Sequence, residues 1–550
     1  MPTVYDIVDE TCGVGSMEID PAENPTTSPK LQISKLSRPK TKSEIGGACS
    51  NLVNSIVGAG IIGIPYALNQ SGLVAGVVLL IAVTWFTDKS LRMLVELAHF
   101  HPRLKSVEVL TFEDLMSLPF GPIGGNFILT SMLLVAYGAM LAYLLIIKDT
   151  VPIVLGFSDD PGEGGFWERE FVMMIVSLVI IVPLSIQRDM SSLAFTSALS
   201  IMADVVLVGI VTVFAPVKES VQNEGGLREV IRGSIINYGF FIGFGVLTTA
   251  MTCQHSAFIV SGSLKNLSSK RWAIVTMISM LTACVLCAML GIAGYLGFLE
   301  ETKGDVLNNF EYDTIEATVA RLLLAFTMVF TYPMEAFVAR HVIIKLIYDG
   351  DMDGDNHEDS SLLGLFLNRR IKWTLALFIS TLIPALIVDD VGPVLSITGS
   401  VGGCCLAYIS PGLVYLGVNG EYFLEYVGSK LEKDDKEVAV TDSGIEPNTM
   451  YANMVLSPSQ RQALDGTKPW WWYPLLMPLW VHIAMTGSQG MKERLAALER
   501  EHGTLDIQTI SPTETIFPKR GDYFLSIFFI TFGVVSCVAG LLSNFIVHII

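Results

Sequence analysis

The chain is a series of long apolar stretches separated by short polar ones. Stretches of about 17 to 25 apolar residues are long enough to cross the hydrocarbon core of a bilayer as helices. Counting them predicts eleven membrane spans, near residues 46–69, 73–97, 126–148, 170–186, 195–216, 236–262, 272–298, 318–344, 373–388, 391–417 and 523–547. The pattern therefore predicts an all-α polytopic membrane protein.

The first span contains helix-breaking residues in its middle. Between Gly46 and Gly72 the sequence reads GGACSNLVNSIVGAGIIGIPYALNQSG, with a Gly-Ala-Gly run starting at Gly58 and a proline at Pro65. Backbone groups freed inside hydrocarbon are costly unless they are buried in protein or line a cavity. The N–H groups of the following half-helix, at its positive dipole end, suit a carboxylate. We therefore expect this segment to bind a polar solute.

The sixth span repeats this feature. It reads YGFFIGFGVLTTAMTCQHSAFIVSGSLKN, with three glycines before a polar run from Thr248 to Ser256. Two interrupted spans, five crossings apart, are typical of inverted-repeat secondary transporters, whose breaks face each other at the bilayer midplane and bind substrate. We predict a first repeat over 46–216, a second over 236–417, and one extra helix within 523–550.

Composition and charge narrow the classes of function. Hydrophobic residues make up 51% of the 550 positions and charged residues only 16%, which is typical of a membrane protein. The formal net charge of −18 argues against nucleic acid as a partner, because phosphates attract the opposite charge. All cysteines except Cys12 fall in apolar runs, so we expect no loop disulfide, and no metal site or cofactor is suggested.

Lysine and arginine predict the orientation. Their excess in the N-terminal tail and in the loops on its side predicts a cytoplasmic N-terminus and a lumenal C-terminus. Residues 1–45 are predicted to be a disordered tail, and 418–522 a long cytoplasmic loop. Within that loop, residues 470–485 (WWWYPLLMPLWVHIAM) are apolar but short and contain two prolines. We expect them to lie in the membrane interface; a full crossing would make twelve spans.

Several stretches resemble a known family. The run NLVNSIVGAGIIGIPYALNQSGL (51–73) resembles the opening helix of the amino acid/auxin permease family, which includes sodium-coupled neutral amino acid transporters and fungal vacuolar amino acid transporters. Further motifs follow in the family's order and look most like its vacuolar branch: FTDKSLRMLVE (86–96), KDTVP (148–152), PLSIQRDMSSLA (183–194), CQHSAFIVSGSLK (253–265), KGDVLNNF (303–310) and TYPMEAFVARHVI (331–343).

The resemblance implies an eleven-span, LeuT-like inverted-repeat fold that moves amino acids by alternating access, driven by a proton or sodium gradient. It implies that backbone on both broken spans binds the substrate's carboxylate and amine, at Ile56, Val57, Gly58, Ala59, Gly60, Thr249, Ala250, Met251 and Cys253. For the side-chain pocket, Tyr137 is one hypothesis. An enzyme is not expected, because polar groups within the spans are single and scattered.

The resemblance also matches Asn54 and Thr331 to residues that help to hold sodium in the sodium-coupled relatives, and their oxygens suit that ion. The alternatives are an interhelical hydrogen bond for Asn54 and a bond within its own helix for Thr331. Asp204, His255 and Glu335 are ionisable residues within spans and are candidates for proton coupling. Their alternatives are a polar pair with a neighbouring helix, an interhelical hydrogen bond, and an ion pair on the same helix, respectively.

We predict a secondary active transporter that moves amino acids across a vacuolar or lysosomal membrane, coupled to a proton gradient. The alternatives are a sodium-coupled neutral amino acid transporter at the plasma membrane and a non-transporting amino-acid sensor with the same fold. The residues EDSSLL (358–363) have the spacing of an acidic dileucine signal. A sorting adaptor that reads this signal is one candidate partner, in addition to the amino acid and the lipid bilayer; the alternative is that these residues are simply a solvated acidic loop.

Overall fold

The computed structural model describes residues 43–102, 104, 109–157, 167–187, 194–311, 314–348, 368–427, 479–502 and 518–549. Within these ranges the chain is almost entirely helical, and the only β-type pairing is a single bridge between Ser43 and Leu264. The all-α, polytopic membrane fold predicted from the sequence is therefore confirmed. The predicted N-terminal tail and the EDSSLL motif lie outside the described residues.

The helices follow the predicted spans. They are α1 (Ile45–Ile56), the 3-10 segment η1 (Ala59–Gly63), α2 (Ile64–Ser71), α3 (Leu73–Phe100), α4 (Phe112–Val154), α5 (Glu170–Ser185), α6 (Ala194–Phe214), α7 (Val217–Asn223), α8 (Leu227–Gly233), α9 (Phe240–Met251), α10 (Gln254–Ser263), α11 (Ser269–Phe298), α12 (Ile315–Tyr348), α13 (Arg369–Ile387), α14 (Val391–Val418), α15 (Leu479–His502) and α16 (Arg520–Ile549).

In the described part of the chain, seven helices are individually long and apolar enough to cross a membrane. Two bent pairs raise the number to as many as nine: α1 with α2, bent by 56°, and α6 with α7, bent by 42°. The predicted spans 170–186 and 236–262 correspond to the shorter helix α5 and to the separate helices α9 and α10. The total of eleven spans stays a prediction.

The helix ends define two faces of the bundle. At the start of α1, the Ser43 N–H donates to the Ser263 carbonyl at the end of α10 (2.8 Å), and we call this side the near face. At the end of α2, the Asn237 N–H donates to the Ser71 carbonyl (3.0 Å) on the opposite side, the far face. The near face is the one predicted to be cytoplasmic. The loop between α11 and α12 lies on the far face, because α11 starts at the near face and runs away from it.

Helix α4 is kinked near its start. Gly121 has φ +67° and lies between Pro119 and Pro122, which cannot donate a backbone hydrogen bond. The carbonyls left free at this kink are bound from elsewhere in the chain. The Arg494 guanidinium of α15 donates to the carbonyls of Leu118 (2.8 Å) and Pro119 (3.0 Å). Helix α15 therefore completes the hydrogen bonding of α4.

Helix α15 also packs tightly on the near-face end of α14. A Cβ placed on Gly487 would lie 2.4 Å from the Gly417 Cα, so only glycine allows this approach. Small residues give the same close packing between helices in membranes. Because α15 begins at Leu479, the segment 470–485 is only partly described, and its interfacial position stays a prediction.

An aromatic cluster holds α16 against the rest of the bundle. The Phe86 ring of α3 lies 5.9 Å from Phe529 and 5.5 Å from Phe532 on α16, measured between ring centroids. Phe532 also contacts Phe244 of α9 (5.3 Å) and Tyr408 of α14 (5.7 Å). Aromatic pairs at these distances stabilise beyond simple area burial. The last predicted span is thereby packed against α3, α9 and α14.

Candidate functional site

The first predicted break is present between α1 and α2. Helix α1 ends at Ile56, where the Val57 N–H donates to the Val53 carbonyl (2.8 Å), and the chain continues as η1. Among the described residues, the backbone N–H groups of Gly58 and Gly60 have no hydrogen-bond partner. Gly58 is only partly buried. The break therefore presents unpaired donors at the start of a helical segment, which is the arrangement that binds anions.

The second break separates α9 from α10. Helix α9 ends at Met251, and Thr252 and Cys253 are not helical. The side chain of Gln254 holds this break in place. Its Oε1 accepts the Cys253 N–H (3.1 Å), and its Nε2 donates to Ser90 Oγ of α3 (3.4 Å). Because Gln254 is fully buried, it fixes the break relative to α3.

The two breaks come together. Segment η1 packs on the end of α9, where a Cβ placed on Gly60 would lie 2.5 Å from the Ala250 Cα. The preceding residue, Thr249, is partly buried and donates its hydroxyl to the Leu395 carbonyl of α14 (2.6 Å). The predicted binding residues on the two broken spans thus lie side by side, with α14 as a third wall.

Helix α14 is irregular where it passes this point. It is π-helical over Gly399–Gly403 and again over Cys405–Ile409. Such widened turns are frequent at functional sites. Gly399 lies so close to α9 that an added Cβ would be 2.5 Å from Thr249 Oγ1. The glycine therefore lets α14 approach α9 beside the breaks.

Two tyrosines on α4 have different surroundings. Tyr137, the residue suggested for the side-chain pocket, donates its hydroxyl to the Ser380 carbonyl of α13 (2.6 Å). Tyr143 was not predicted as a site residue from the sequence, yet its side chain lies at the first break. A Cβ placed on Gly58 would lie 3.5 Å from its hydroxyl oxygen. No local pattern distinguishes Tyr143 from other residues of this apolar helix, so only the packing of α4 on η1 identifies it.

The two predicted sodium ligands are not joined by a hydrogen bond. The Thr331 hydroxyl donates to the Thr327 carbonyl one turn earlier (2.6 Å), as in the helix-internal alternative. Its oxygen lone pairs are still able to accept a cation. Asn54 is partly buried, and its amide forms no hydrogen bond within the described residues. A role of either residue in ion binding stays a prediction.

Asp204 is deeply buried where α6 packs on α12, with 1% of its surface exposed. The Thr327 hydroxyl of α12 faces its carboxyl group. Within the described residues, neither Asp204 Oδ2 nor Thr327 Oγ1 has a partner with good hydrogen-bond geometry. A carboxylate with an unpaired oxygen at this depth is costly, whereas a protonated carboxyl group can donate to a hydroxyl.

Glu335 of α12 is partly buried and forms no hydrogen bond or ion pair with any described residue. The ion pair with Arg340 that the sequence allowed is not formed. Arg340 instead donates to the Ser185 carbonyl and to Thr374 Oγ1, both at 2.8 Å. His255, in the first turn of α10, is also partly buried and has no hydrogen-bond partner within the described residues.

This geometry suits a small zwitterion. Unpaired N–H groups at the start of η1 provide a positive dipole end for a carboxylate. The carbonyls at the C-terminal ends of α1 and α9 provide a negative end for an ammonium group. Both kinds of main-chain group lie at the junction of the two broken spans, where Gly60 meets Ala250.

Comparisons with known proteins identify the family of this chain. A family model described as transmembrane amino acid transporter protein matches residues 41–425. The chain is 29% identical to vacuolar amino acid transporter 2 of Saccharomyces cerevisiae over 373 residues, which are 67% of this chain and 75% of that protein. It is 30% identical to putative sodium-coupled neutral amino acid transporter 11 of Danio rerio over 386 residues, 69% of this chain and 80% of that protein. The chain therefore belongs to the amino acid/auxin permease family, as a multi-pass membrane protein of amino acid transport and not an enzyme.

Proposed function

We propose that this chain moves amino acids by alternating access, with the substrate held between the two helix breaks and with transport driven by a proton gradient. The observation that carries the proposal is the contact of η1 with the end of α9 at Gly60 and Ala250, beside backbone N–H groups without partners. In secondary transporters, the junction of two such discontinuous helices is the substrate site.

The substrate carboxylate accepts hydrogen bonds from the N–H groups of Gly58 and Gly60, at the positive end of η1 and α2. Its ammonium group donates to main-chain carbonyls at the ends of α1 and α9, around Ile56 and Met251. The Tyr143 hydroxyl borders the site from α4. Main-chain atoms recognise groups that all amino acids share, so selectivity among amino acids comes from the side chains of α4, α9 and α14.

Proton coupling is assigned to the ionisable residues at membrane depth. Asp204 and Glu335 are the first candidates, because charged groups inside spans are costly and are usually functional. A proton on Asp204 would let its unpaired Oδ2 donate to Thr327. His255 is the remaining candidate, since its imidazole can titrate near neutral pH.

For location, we propose the membrane of an acidic organelle, with the near face cytoplasmic. The similarity to a vacuolar transporter supports this location. Sodium-coupled transport at the plasma membrane is the alternative. The similarity to a putative sodium-coupled transporter of Danio rerio favours it, as does the Asn54 amide, which has no partner among the described residues. A sensor that binds amino acids without moving them is the third possibility.

Uptake of a labelled amino-acid panel into proteoliposomes separates these functions. We expect uptake to follow an imposed pH gradient and not a sodium gradient. Binding without uptake would indicate a sensor, and uptake that follows only sodium would contradict proton coupling. Orientation is tested by replacing the exposed Glu301 with cysteine and treating intact organelles with a membrane-impermeant thiol reagent. If the far face is lumenal, this cysteine is labelled only after the membrane is permeabilised.

The site itself is tested with Gly58→Ala. The added methyl group would lie 3.5 Å from the Tyr143 hydroxyl, an ordinary contact, so the fold tolerates it while the space beside the unpaired N–H groups is filled. We expect a large loss of uptake with an unchanged melting temperature. Gly262→Ala is the matched control, since a Cβ there meets nothing within 4 Å. Normal uptake by Gly58→Ala would contradict the site as drawn.

A further inference from the structure

Two sequence motifs that take no part in the proposed substrate site converge on the far face. They are KDTVP (148–152), at the end of α4, and KGDVLNNF (303–310), in the loop between α11 and α12. The Asn308 amide of the second motif donates to Asp149 Oδ2 of the first (3.0 Å). We call residues 302–310 the far-face lid; they line one side of a partly open cavity beside α2 and α14.

The far-face lid is seated by specific contacts. The Arg321 guanidinium of α12 donates to the lid carbonyls of Leu307 (3.0 Å) and Phe310 (2.8 Å). Gly304 fits so tightly against α14 that an added Cβ would lie 2.5 Å from the Gly392 nitrogen. Together with the bond from Asn308 to α4, these contacts connect the lid to three helices. Lifting the lid away from the cavity would break these contacts.

The cavity beside the lid has a volume of about 290 Å³, and among the described residues one lid carboxyl that lines it has an oxygen without a hydrogen-bond partner. Asp305, in the lid, lines this cavity, and only 2% of its surface is exposed. Its Oδ1 accepts the Leu307 N–H (2.8 Å), while its Oδ2 has no hydrogen-bond partner among the described residues. An ionised carboxylate is costly in this setting, and a neutral carboxyl group much less so.

Two of the acids near Asp305 are already paired with basic groups. Asp149 is paired with Arg169 (2.6 Å), and Asp389 with Lys148 (3.0 Å). The charged and titratable groups that line the cavity or contact the lid and its neighbours are Tyr66 of α2, Lys148 and Asp149 of α4, Arg169 before α5, Lys303 of the loop, Arg321 of α12, and Asp389 and Asp390 before α14. Within the described residues, Arg321 donates its hydrogen bonds to main-chain carbonyls. It therefore stabilises a negative charge on Asp305 only by electrostatic attraction and not by a hydrogen bond.

We propose that Asp305 is a proton-binding site, and that a proton bound there from the far-face solution holds the far-face lid closed. The role of the lid in transport rests on the proposed function, but proton binding by the lid does not. Burial raises the pKa of Asp305 to about 7, with Asp149 and Asp390 adding to the effect and the Leu307 N–H and Arg321 opposing it.

The direction of the pH effect follows from linkage. With the lid lifted, Asp305 would be in water, where an aspartate has a pKa of about 3.9. The closed lid then binds the proton more tightly than the open lid does. Closure is therefore most favourable below about pH 4, weakens as the pH rises from about 4 to about 7, and changes little above that. A far-face solution as acidic as an organelle lumen would favour the closed lid.

Hydrogen–deuterium exchange of the full-length protein in nanodiscs measures lid opening without any substrate. The observable is the protection factor of peptides from 302–310, corrected for the intrinsic pH dependence of exchange. In the native protein we expect protection to fall by at least about tenfold between pH 5 and pH 8. Protection that does not change with pH would overturn the proposal.

Asp305→Asn tests the residue itself, because the amide is neutral at every pH and can still accept the Leu307 N–H. We expect this variant to keep its lid protected from pH 5 to pH 8. Glu301→Gln is the matched control, since Glu301 is an exposed carboxylate of the same loop, and its lid should behave as the native one does. A pH-dependent lid in Asp305→Asn would assign the proton to another group and overturn the proposal.

Transport measurements separate this proposal from the proposed function. If the native protein shows no amino acid uptake while its lid responds to pH through Asp305, the proposed function fails and the proton site stands. If uptake follows the pH gradient while lid protection is constant, the proton site fails and the transporter stands. When both hold, Asp305→Asn should lose the dependence of initial uptake rate on far-face pH.

Discussion

Gly60 lies so close to Ala250 that a Cβ on Gly60 would be 2.5 Å from the Ala250 Cα. Any side chain at position 60 must therefore push η1 away from α9, whether or not a ligand is bound. We expect Gly60→Ala to lower the free energy of unfolding by about 1–3 kcal/mol, the usual cost of overpacking, and to reduce uptake. Thermal unfolding in detergent measures the first effect, with Gly262→Ala as control. An unchanged melting temperature would show that the two spans do not pack as described.

Tyr143 and Tyr137 offer a matched pair of substitutions on one helix. Tyr143→Phe removes the hydroxyl beside Gly58, so we expect the apparent KM of uptake to rise by about 2- to 10-fold, the value of one hydrogen bond. Tyr137→Phe removes the bond to the Ser380 carbonyl and should lower stability with little change in KM. Initial uptake rates and melting temperatures distinguish the two. A KM effect confined to Tyr137→Phe would move the side-chain pocket to the contact between α4 and α13.

The two helix breaks could be predicted from the sequence because their cause is local. Glycines around Gly58 and the polar run from Thr248 to Ser256 are unfavourable in a continuous membrane helix, and the chain breaks at both places. The long apolar stretches likewise predicted the bounds of most helices within a few residues, although α4 starts at Phe112, well before the predicted 126. These features depend on hydrogen bonding and hydrophobicity within one segment, so no knowledge of neighbouring helices is needed.

The contacts that shape the site could not be predicted, because they join residues far apart in the chain. Gln254 reaches Ser90 on α3, and Asn308 reaches Asp149 on α4. Glu335 and Arg340 lie close together along one helix and allowed an ion pair, yet Arg340 is bound to other groups. Helix rotation and packing decide these contacts, and a single sequence does not specify either.

Asp204→Asn distinguishes a proton carrier from a polar pair. The asparagine amide can donate to Thr327 at every pH, whereas aspartate can do so only when it is protonated. We therefore expect the melting temperature of the variant to equal or exceed that of the native protein. If Asp204 carries the coupled proton, this variant keeps amino acid exchange but loses accumulation driven by a pH gradient. Exchange and gradient-driven uptake are measured in the same proteoliposome preparation. Full accumulation would leave Asp204 with a structural role and would assign coupling to Glu335 or His255.

The kink in α4 depends on a residue outside the matched family region. Arg494 of α15 donates to the carbonyls of Leu118 and Pro119 beside the kink at Gly121, and Leu118 has no helical donor because position 122 is a proline. Arg494→Leu removes both bonds and leaves two acceptors unsatisfied. Hydrogen bonds to a charged group are each worth about 1.5–3 kcal/mol, so we expect a clear loss of thermal stability.

The same variant should also release α15 from α4, because the guanidinium provides hydrogen bonds between them at the kink. Hydrogen–deuterium exchange of residues 479–502 should then increase, together with exchange at the start of α4. Arg500→Leu, an exposed arginine on the same helix, is the control and should change neither quantity. If Arg494→Leu lowers stability while α15 stays protected, the glycine contact between Gly487 and Gly417 is sufficient to hold the helix. Unchanged stability and unchanged protection would mean that the α4 carbonyls at the kink need no partner from α15.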